Sequence, residues 1–184
     1  MMSMQNTFMN RILSLIVFFC LLHVNDASAK GKKRPPVQIS FHLETADVSN
    51  KALVIEADTP MGKKFIQKTP LLITSNFTAY YPFQSPHEGE LYGVSLQLNQ
   101  RSAARLRVIS AQNVGSYIVA NVNGKVVDMI KIDKEVDGRV ITIWRGIDPA
   151  ILKLVNPIIP QIGEDPKVWK ERIKKEEKAA KKRR

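Results

Sequence analysis

The Asn-Gly pair at positions 123–124 constrains the fold of this chain more than any other feature. It separates two β-patterned runs, 116-SYIVANV-122 and 125-KVVDMIKI-132. A two-residue Asn-Gly loop favours a tight hairpin because both of its positions adopt positive φ. The sequence therefore predicts two antiparallel strands joined by this turn.

Pairing counted back from the turn predicts which residues face each other across the hairpin. One side holds the pairs Val122–Lys125, Ala120–Val127 and Ile118–Met129, and the other side holds Asn121–Val126, Val119–Asp128 and Tyr117–Ile130. Both sides are largely apolar, so we expect the hairpin to be central. We expect helices to cover one face of the hairpin. The second face is expected to be covered by residues 76–98 or by a partner. Cover by the chain itself is favoured because exposed apolar patches are uncommon on soluble monomers.

The remaining strand signals surround this hairpin in the sequence. In 37-VQISFHLE-44 apolar and polar residues alternate strictly, which predicts a strand with one buried and one solvated face. Residues 58–75 have a loop-like composition. Further extended segments are predicted at 52–57, 76–83, 91–98 and 139–145.

Two internal segments carry helix signals. Residues 100–113 follow the N-cap Asn99 and precede Gly115, while 149–156 begin at Asp148-Pro149 and end before Pro157. The predicted fold class is α+β, with a mainly antiparallel sheet and two helices packed on it. The domain is expected to span 36–163.

The N-terminal residues 1–29 have the pattern of a secretory signal peptide. Arg11 precedes the apolar run 12–22, and Ala27-Ser28-Ala29 forms an A-x-A cleavage site. The run is shorter than the roughly 20 residues that span a bilayer. We therefore expect an exported protein, periplasmic or secreted, without a transmembrane helix after cleavage. The alternative is an uncleaved anchor, with the domain in the cytoplasm and its tails touching RNA or lipid.

The net charge of +11 belongs to the two ends of the chain. A basic arm at 30–35 carries four positive charges, and the tail at 164–184 carries ten Lys or Arg against three Glu within 167–184. Residues 35–166 are neutral. A sequence-specific nucleic-acid reader would carry a basic face on its folded domain, so that class is disfavoured. The mature chain also lacks cysteine, which excludes disulfides and thiol chemistry.

No constellation of catalytic or metal-binding residues is evident. The acids of 133-DKEVDG-138 resemble the start of a calcium loop, but its twelfth position is Trp144 and its flanks are β-patterned. They are better explained as a solvated hairpin tip. His42 and His87 match no hydrolase or zinc motif. The sequence thus predicts no enzyme, no catalytic residue, no metal and no cofactor, and a small secreted hydrolase using His42 or His87 with a nearby acid is the alternative.

Two groups form the candidate interaction surface. The aromatic cluster Phe77, Tyr80, Tyr81 and Phe83 is interpreted either as a platform for peptide or glycan or as core, and Tyr80, Tyr81 and Phe83 are its candidate surface residues. The tail, expected to be a fraying helix ending in disorder, would bind an acidic polymer or lipid without sequence preference; it has an equally good interpretation as a solubilising segment. Its candidate residues are Trp169, Lys174, Lys175, Lys181, Lys182, Arg183 and Arg184.

The order of motifs over 90–160 resembles the first periplasmic domain of SecD, the protein-export translocase subunit. These motifs are 93-GVSLQL-98, a helix with Ala104 and Leu106, Asn113-x-Gly115, Asn123-Gly124-Lys125-Val126-Val127, and then Gly138 and Gly146. The resemblance implies an α+β head with helices packed on a mainly antiparallel sheet, in a domain thought to contact unfolded exported chains. The family's proline after the hairpin strand is absent, and its membrane helices have no counterpart, so no proton-driven motor is implied.

These observations predict a free-standing, exported, non-enzymatic binding domain of the cell envelope. Its partner is expected to be a protein or an envelope polymer. The hydrolase and the membrane-anchored polyanion-binding protein remain the alternatives.

Overall fold

The computed structural model describes residues 36–87, 89 and 91–182 of the chain. The predicted signal peptide (1–29), the basic arm (30–35), Arg183 and Arg184 lie outside the described residues. The strands of the described part are β1 (Ile39–Leu43), β2 (Val54–Thr59), β3 (Gly62–Gln67), β4 (Leu72–Ile73), β5 (Phe77–Gln84), β6 (Tyr92–Leu98), β7 (Tyr117–Val122), β8 (Lys125–Lys131) and β9 (Val140–Ile147). Its α-helices are α1 (Gln100–Gln112), α2 (Pro149–Val155) and α3 (Pro166–Lys182), and a short 3-10 helix covers Thr74–Asn76.

The strands form three sheets in which every ladder is antiparallel. The first has the order β4-β1-β7-β8, the second pairs β2 with β3, and the third has the order β5-β6-β9. Helices α1 and α2 contribute Leu106 and Val155 to the core between them and the sheets. The predicted α+β class with mainly antiparallel pairing is confirmed.

The Asn-Gly turn forms as predicted. Asn123 has φ 51° and Gly124 has φ 87°, and the side-chain oxygen of Asn121 accepts the N–H of Gly124 at 2.8 Å. A side chain at position 124 would be strained in this conformation. The turn therefore fixes where β7 ends and β8 begins.

The pairing across this hairpin departs from the prediction after two residues. Val122–Lys125 and Asn121–Val126 pair as expected, but a β-bulge follows, and Ala120 then faces Asp128. The predicted partners beyond the bulge are wrong because one extra residue in β8 moves every later pair by one position. The remaining observed pairs are Val119–Met129, Ile118–Ile130 and Tyr117–Lys131.

One face of the first sheet packs into the main core. Alternate residues of β1 and β7 point inward, as the period of two requires. They meet α1, α2 and the inner face of the third sheet, and nearly all are less than 7% exposed. This set includes Ile39, Phe41, Leu43, Ile118, Ala120, Val122, Leu96, Leu98, Leu106, Ile143 and Val155.

The other face of the first sheet is covered by the β2–β3 hairpin. Residues 58–75 therefore do not form a loop; most of them belong to this hairpin, β4 and the 3-10 helix. Ile66 and Val119 are buried outside the main core cluster, and the ring of His42, opposite Val119, bonds the carbonyl of Gln67 in β3. This face is therefore covered by the chain itself, as expected. Residues 76–98 do not cover it, because they contribute β5 and β6 to the third sheet.

The basic tail is helical as far as the structure describes it. Asp165 caps α3, its carboxylate accepting the N–H of Lys167 at 2.6 Å. Helix-start chemistry of this kind is visible in the sequence as Asp165-Pro166. Among the described residues, none of the helices has the length and apolar character that crossing a membrane requires.

Candidate functional site

The third sheet presents an outward face that carries three aromatic side chains. In β6, Val94, Leu96 and Leu98 are buried, so Ser95 and Gln97 point outward. In β9, Ile141 and Ile143 are likewise buried, while Val140 and Trp144 are exposed. In β5 a register shift before Ala79 interrupts the alternation, and beyond it Tyr80 is buried and Tyr81 is exposed. The outer face of this sheet is therefore solvated.

Tyr81, Phe83 and Trp144 form what we call the aromatic face. Tyr81 and Trp144 are 55% and 50% exposed, and Phe83 is half-buried. The rings of Phe83 and Trp144 lie 5.8 Å apart at 69°, an edge-to-face arrangement. Such pairs contribute about 0.5–1.5 kcal/mol beyond the area that they bury. The two rings therefore hold each other in place on an exposed surface.

A glycine makes room for this arrangement. Gly93 lies opposite Phe83 in the β5–β6 ladder. A methyl group at position 93 would lie 2.4 Å from the Phe83 ring and 2.8 Å from the carbonyl oxygen of Ile143. The ring of Phe83 thus lies flat over Gly93, in space that any other residue would fill.

Asp128 fixes the backbone at Trp144. The ladder between β6 and β9 is interrupted after Val94–Ile143, and the carboxylate of Asp128 in β8 accepts the N–H of Trp144 at 2.7 Å. The same carboxylate accepts the N–H of Met129 at 2.9 Å and lies 3.5 Å from the guanidinium of Arg145. Asp128 is 4% exposed. The first and third sheets are joined at this point by a buried, hydrogen-bonded charge.

Polar side chains border the aromatic rings. The hydroxyls of Ser95 and Thr142 are 3.0 Å apart, and Ser95 lies opposite Tyr81 in the ladder. Val140, 45% exposed, continues the same face along β9. The surface therefore combines rigid aromatic area with hydroxyl donors and acceptors, the combination that binding sites use for orientation and specificity.

Tyr80 does not belong to this surface. It is 2% exposed, its hydroxyl donates to the side-chain oxygen of Asn156 at 3.4 Å, and burial raises its pKa. Its backbone bonds Pro160 and Ile162. The assignment of Tyr80 to an interaction surface is corrected, because neighbouring residues of a strand point to opposite faces and Tyr81 points outward.

Trp144 is the residue that sequence reasoning missed. In β9, Ile141 and Ile143 are buried, while Val140 and Trp144 are exposed. This alternation is visible in the sequence and was sufficient to place Trp144 outward. Its neighbours Phe83 and Gly93 are 61 and 51 residues away in the chain, so the sequence alone did not bring them together.

The tail residues lie elsewhere. Trp169 is half-buried, and its indole N–H donates to the carbonyl of Asn156 at 2.9 Å. Arg172 bonds the carboxylate of Glu164 at 2.9 Å and the side chain of Asn156 at 3.2 Å, which lowers the pKa of Glu164 and raises that of Arg172. The tail lysines of the candidate surface are exposed, namely Lys174, Lys175, Lys181 and Lys182. Trp169 therefore anchors α3 on the domain.

The two histidines belong to different sheets: His42 lies in β1 of the first sheet, and His87 lies in the turn after β5 of the third. His42 is 9% exposed; its Nε2 lies 2.9 Å from the Ser40 hydroxyl and its Nδ1 lies 2.8 Å from the carbonyl of Gln67. No carboxylate is among its hydrogen-bond partners in the described part of the chain. Ser40 and His42 line a cavity of about 530 Å³. His87 is exposed in the turn after β5.

The acids that resembled a calcium loop are engaged by basic side chains. Glu135 and Asp137 pair with Arg107 of α1, and Asp133 lies 3.5 Å from Lys131. The segment connects two different sheets, because β8 and β9 share no ladder, so the predicted hairpin tip is wrong. Within residues 36–87, 89 and 91–182, no group of three or more His, Cys, Asp or Glu is arranged to hold a metal ion.

Comparisons with known proteins give matches in structure alone. No protein-family profile matches the sequence, and no curated protein matches it. One similar solved structure is described as "Structure and function of a membrane component SecDF that enhances protein export", with 16% identity and a TM-score of 0.47 over 65% of this chain and 60% of that one. Another, a crystal structure of SecDF in a super-membrane-facing form, has 15% identity and a TM-score of 0.46 over 65% of this chain and 18% of that one.

Both of these structures are of SecDF. The chain spans 60% and 18% of the lengths of the two SecDF chains. At this identity and TM-score the likeness concerns the fold, and it carries no argument about function.

Proposed function

We propose that this chain is an exported, non-enzymatic binding domain of the cell envelope, periplasmic or secreted, and that it binds a protein partner through the aromatic face. The single observation that carries the proposal is the exposed pair Tyr81 and Trp144 on a rigid sheet. Exposed aromatics of this kind are enriched at binding hot spots because they bury a large area and lose little conformational entropy. An envelope polymer is the alternative partner.

The local construction of the face supports binding by a preorganised surface. Phe83 is held between Gly93 and Trp144, and Asp128 fixes the backbone of Trp144. A partner therefore meets side chains that are already ordered, which lowers the entropic cost of association. The hydroxyls of Ser95 and Thr142 lie beside the rings and bond each other, which leaves one hydroxyl proton and several acceptor lone pairs for a partner.

The test uses Trp144 as a fluorescent reporter. The chain has two tryptophans, so Trp169→Phe leaves Trp144 alone. The mature protein is titrated with an unfolded, carboxymethylated model polypeptide and, separately, with a soluble neutral glycan. We expect the polypeptide to shift Trp144 emission to shorter wavelength as the ring loses contact with water.

Two variants make the test specific to the face. Tyr81→Ala is expected to weaken binding roughly tenfold, which corresponds to about 1.4 kcal/mol. Val108→Ala removes a side chain of equal exposure, 56%, on α1 and is expected to leave binding unchanged. A change in Trp144 emission with the glycan alone would favour the envelope polymer as the partner. No change with either the polypeptide or the glycan would show that the aromatic face is not a binding site.

One observation favours a hydrolase as the second candidate. A carbonyl oxygen accepts hydrogen bonds only, so the contact with Gln67 places the proton of a neutral His42 on Nδ1 and leaves Nε2 to accept the proton of Ser40. This is the arrangement of a nucleophile, a base and an orienting group. In an ester cleavage the Ser40 oxygen would attack the carbonyl carbon while His42 takes its proton; as the ester C–O bond breaks, His42 would give that proton to the departing alcohol, which leaves an acyl group on Ser40.

A fluorophosphonate probe separates this candidate from the binding domain. The hydrolase requires covalent labelling of the wild-type protein and its loss in Ser40→Ala. If the wild-type protein is not labelled, the Ser40–His42 contact within β1 is structural: it orients the ring of His42, whose bond to the carbonyl of Gln67 links β1 to β3.

A further inference from the structure

Helix α3 is oriented by contacts on one of its sides. The indole of Trp169 bonds the carbonyl of Asn156, and the guanidinium of Arg172 bonds Glu164. Trp169, Arg172 and Ile173 are the partly buried residues of this helix, and its other described side chains are exposed. The side that carries these three residues therefore faces the domain.

Five lysines form a row on the opposite side of α3. Their spacing of three, four, four and three residues places them within an arc of about 80°, at 3.6 residues per turn. With a rise of 1.5 Å per residue the row is about 21 Å long. All five side chains are exposed. We call this row the lysine stripe; it consists of Lys167, Lys170, Lys174, Lys178 and Lys181.

Two carboxylates border the stripe: at 3.6 residues per turn, Glu171 and Glu177 each lie about 20° outside the arc of the five lysines, so this side of the helix has a net positive charge. None of the five lysines forms an ion pair with a carboxylate of the described residues. Like charges at i, i+4 repel by a few tenths of a kcal/mol per pair, so the row does not stabilise the helix that carries it. Glu176, by contrast, pairs with Arg172 near the domain side. The stripe is thus a line of positive charge directed to solvent.

We propose that the lysine stripe binds a linear polyanion of the phosphate-polymer class. A row one lysine wide and about 21 Å long matches one extended anionic chain, and each neutralised phosphate releases counterions. A helix that lies in a membrane surface needs an apolar side directed to the lipid. The larger apolar side chains of α3, Trp169 and Ile173, face the domain instead. This site is separate from the aromatic face, so each proposal stands or fails without the other.

The test compares two double substitutions on the same helix. Lys174→Gln with Lys178→Gln removes two charges from the stripe, and Lys175→Gln with Lys182→Gln removes two charges beside it. Binding of long-chain inorganic polyphosphate to the mature protein is measured against salt concentration. We expect the stripe pair to lower affinity at least tenfold and to reduce the slope of log K against log salt by about 1.4, as expected for two lost contacts with a single strand.

The control pair is expected to change affinity less than threefold. Equal losses for the two pairs would overturn the proposal, because binding would then follow net charge and not the stripe. Binding to phosphatidylglycerol vesicles without binding to polyphosphate would also overturn it. So would absence of polyphosphate binding at about 0.05 M salt, where contacts of this kind are strong.

Discussion

Replacement of Asp128 by alanine tests how the first and third sheets are held together. The carboxylate accepts two backbone N–H groups, those of Met129 and Trp144, and lies 3.5 Å from the guanidinium of Arg145. An unpaired buried donor costs about 1–3 kcal/mol. Arg145 is 34% exposed and recovers part of its hydration when it loses its partner.

The expected loss in the free energy of unfolding for Asp128→Ala is therefore about 3 kcal/mol, mainly from the two donors. For a domain of this size, 1 kcal/mol corresponds to about 2–4 °C, so the melting temperature should fall by roughly 6–12 °C. Urea unfolding followed by circular dichroism measures the free energy, and thermal unfolding measures the temperature. In a Trp169→Phe background, emission from Trp144 reports whether the aromatic face loses its order.

Asp133→Ala is the matched control. Asp133 is 74% exposed and pairs with Lys131, which is 55% exposed, so its removal should cost less than about 1 kcal/mol. A loss for Asp128→Ala below about 1 kcal/mol, or equal to that of Asp133→Ala, would refute the role of the buried carboxylate.

Three further predictions concern the glycines and the tail. Gly93→Ala should destabilise by about 1–3 kcal/mol through overpacking against Phe83, measured by urea unfolding, and Phe83→Leu should relieve part of this loss. Gly124→Ala should cost about 1 kcal/mol in the same assay because of its positive φ. Arg172 lowers the pKa of Glu164 below its usual 4.5, so the contribution of this ion pair to the docking of α3 should be complete above that pH and be lost as the pH falls below it. Trp169 emission in a Trp144→Phe background measures this. Glu164→Gln should reduce the pH dependence without abolishing it, because the carboxylates of Asp165 and Glu176 also bond residues of α3.

The ends of most elements could be predicted from the sequence because the signals are local. The side chain of Asn99 accepts the N–H of Ser102, and that of Asp148 accepts the N–H of Ala150. Both predicted helices therefore begin directly after their predicted N-cap residues. The Asn-Gly turn forms with the expected positive φ values. Each of these contacts joins residues within three positions of each other, and a local pattern is sufficient to specify it.

The β2–β3 hairpin was not predicted because its local signals conflict. The two-residue turn Pro60–Met61 joins strands that carry Lys63 and Lys64, and much of the hairpin is exposed. The hairpin is held by contacts with other parts of the chain: Lys64 pairs with Glu44 at 2.9 Å, and Ile66 is buried. A polar hairpin of this kind is stabilised mainly by its contacts with the sheet that it covers.

By itself the sequence determined most of the strand and helix segments outside residues 58–75, the turn at 123–124 and the division of charge between a neutral centre and basic ends. Only the tertiary structure decided the bulge in β8, the buried position of Asp128 and the contact between Phe83 and Trp144. The physical reason is the range of the interactions. Caps and turns depend on neighbouring residues, whereas the hydrogen bonds of the buried Asp128 are complete only with the N–H of Trp144, sixteen positions away.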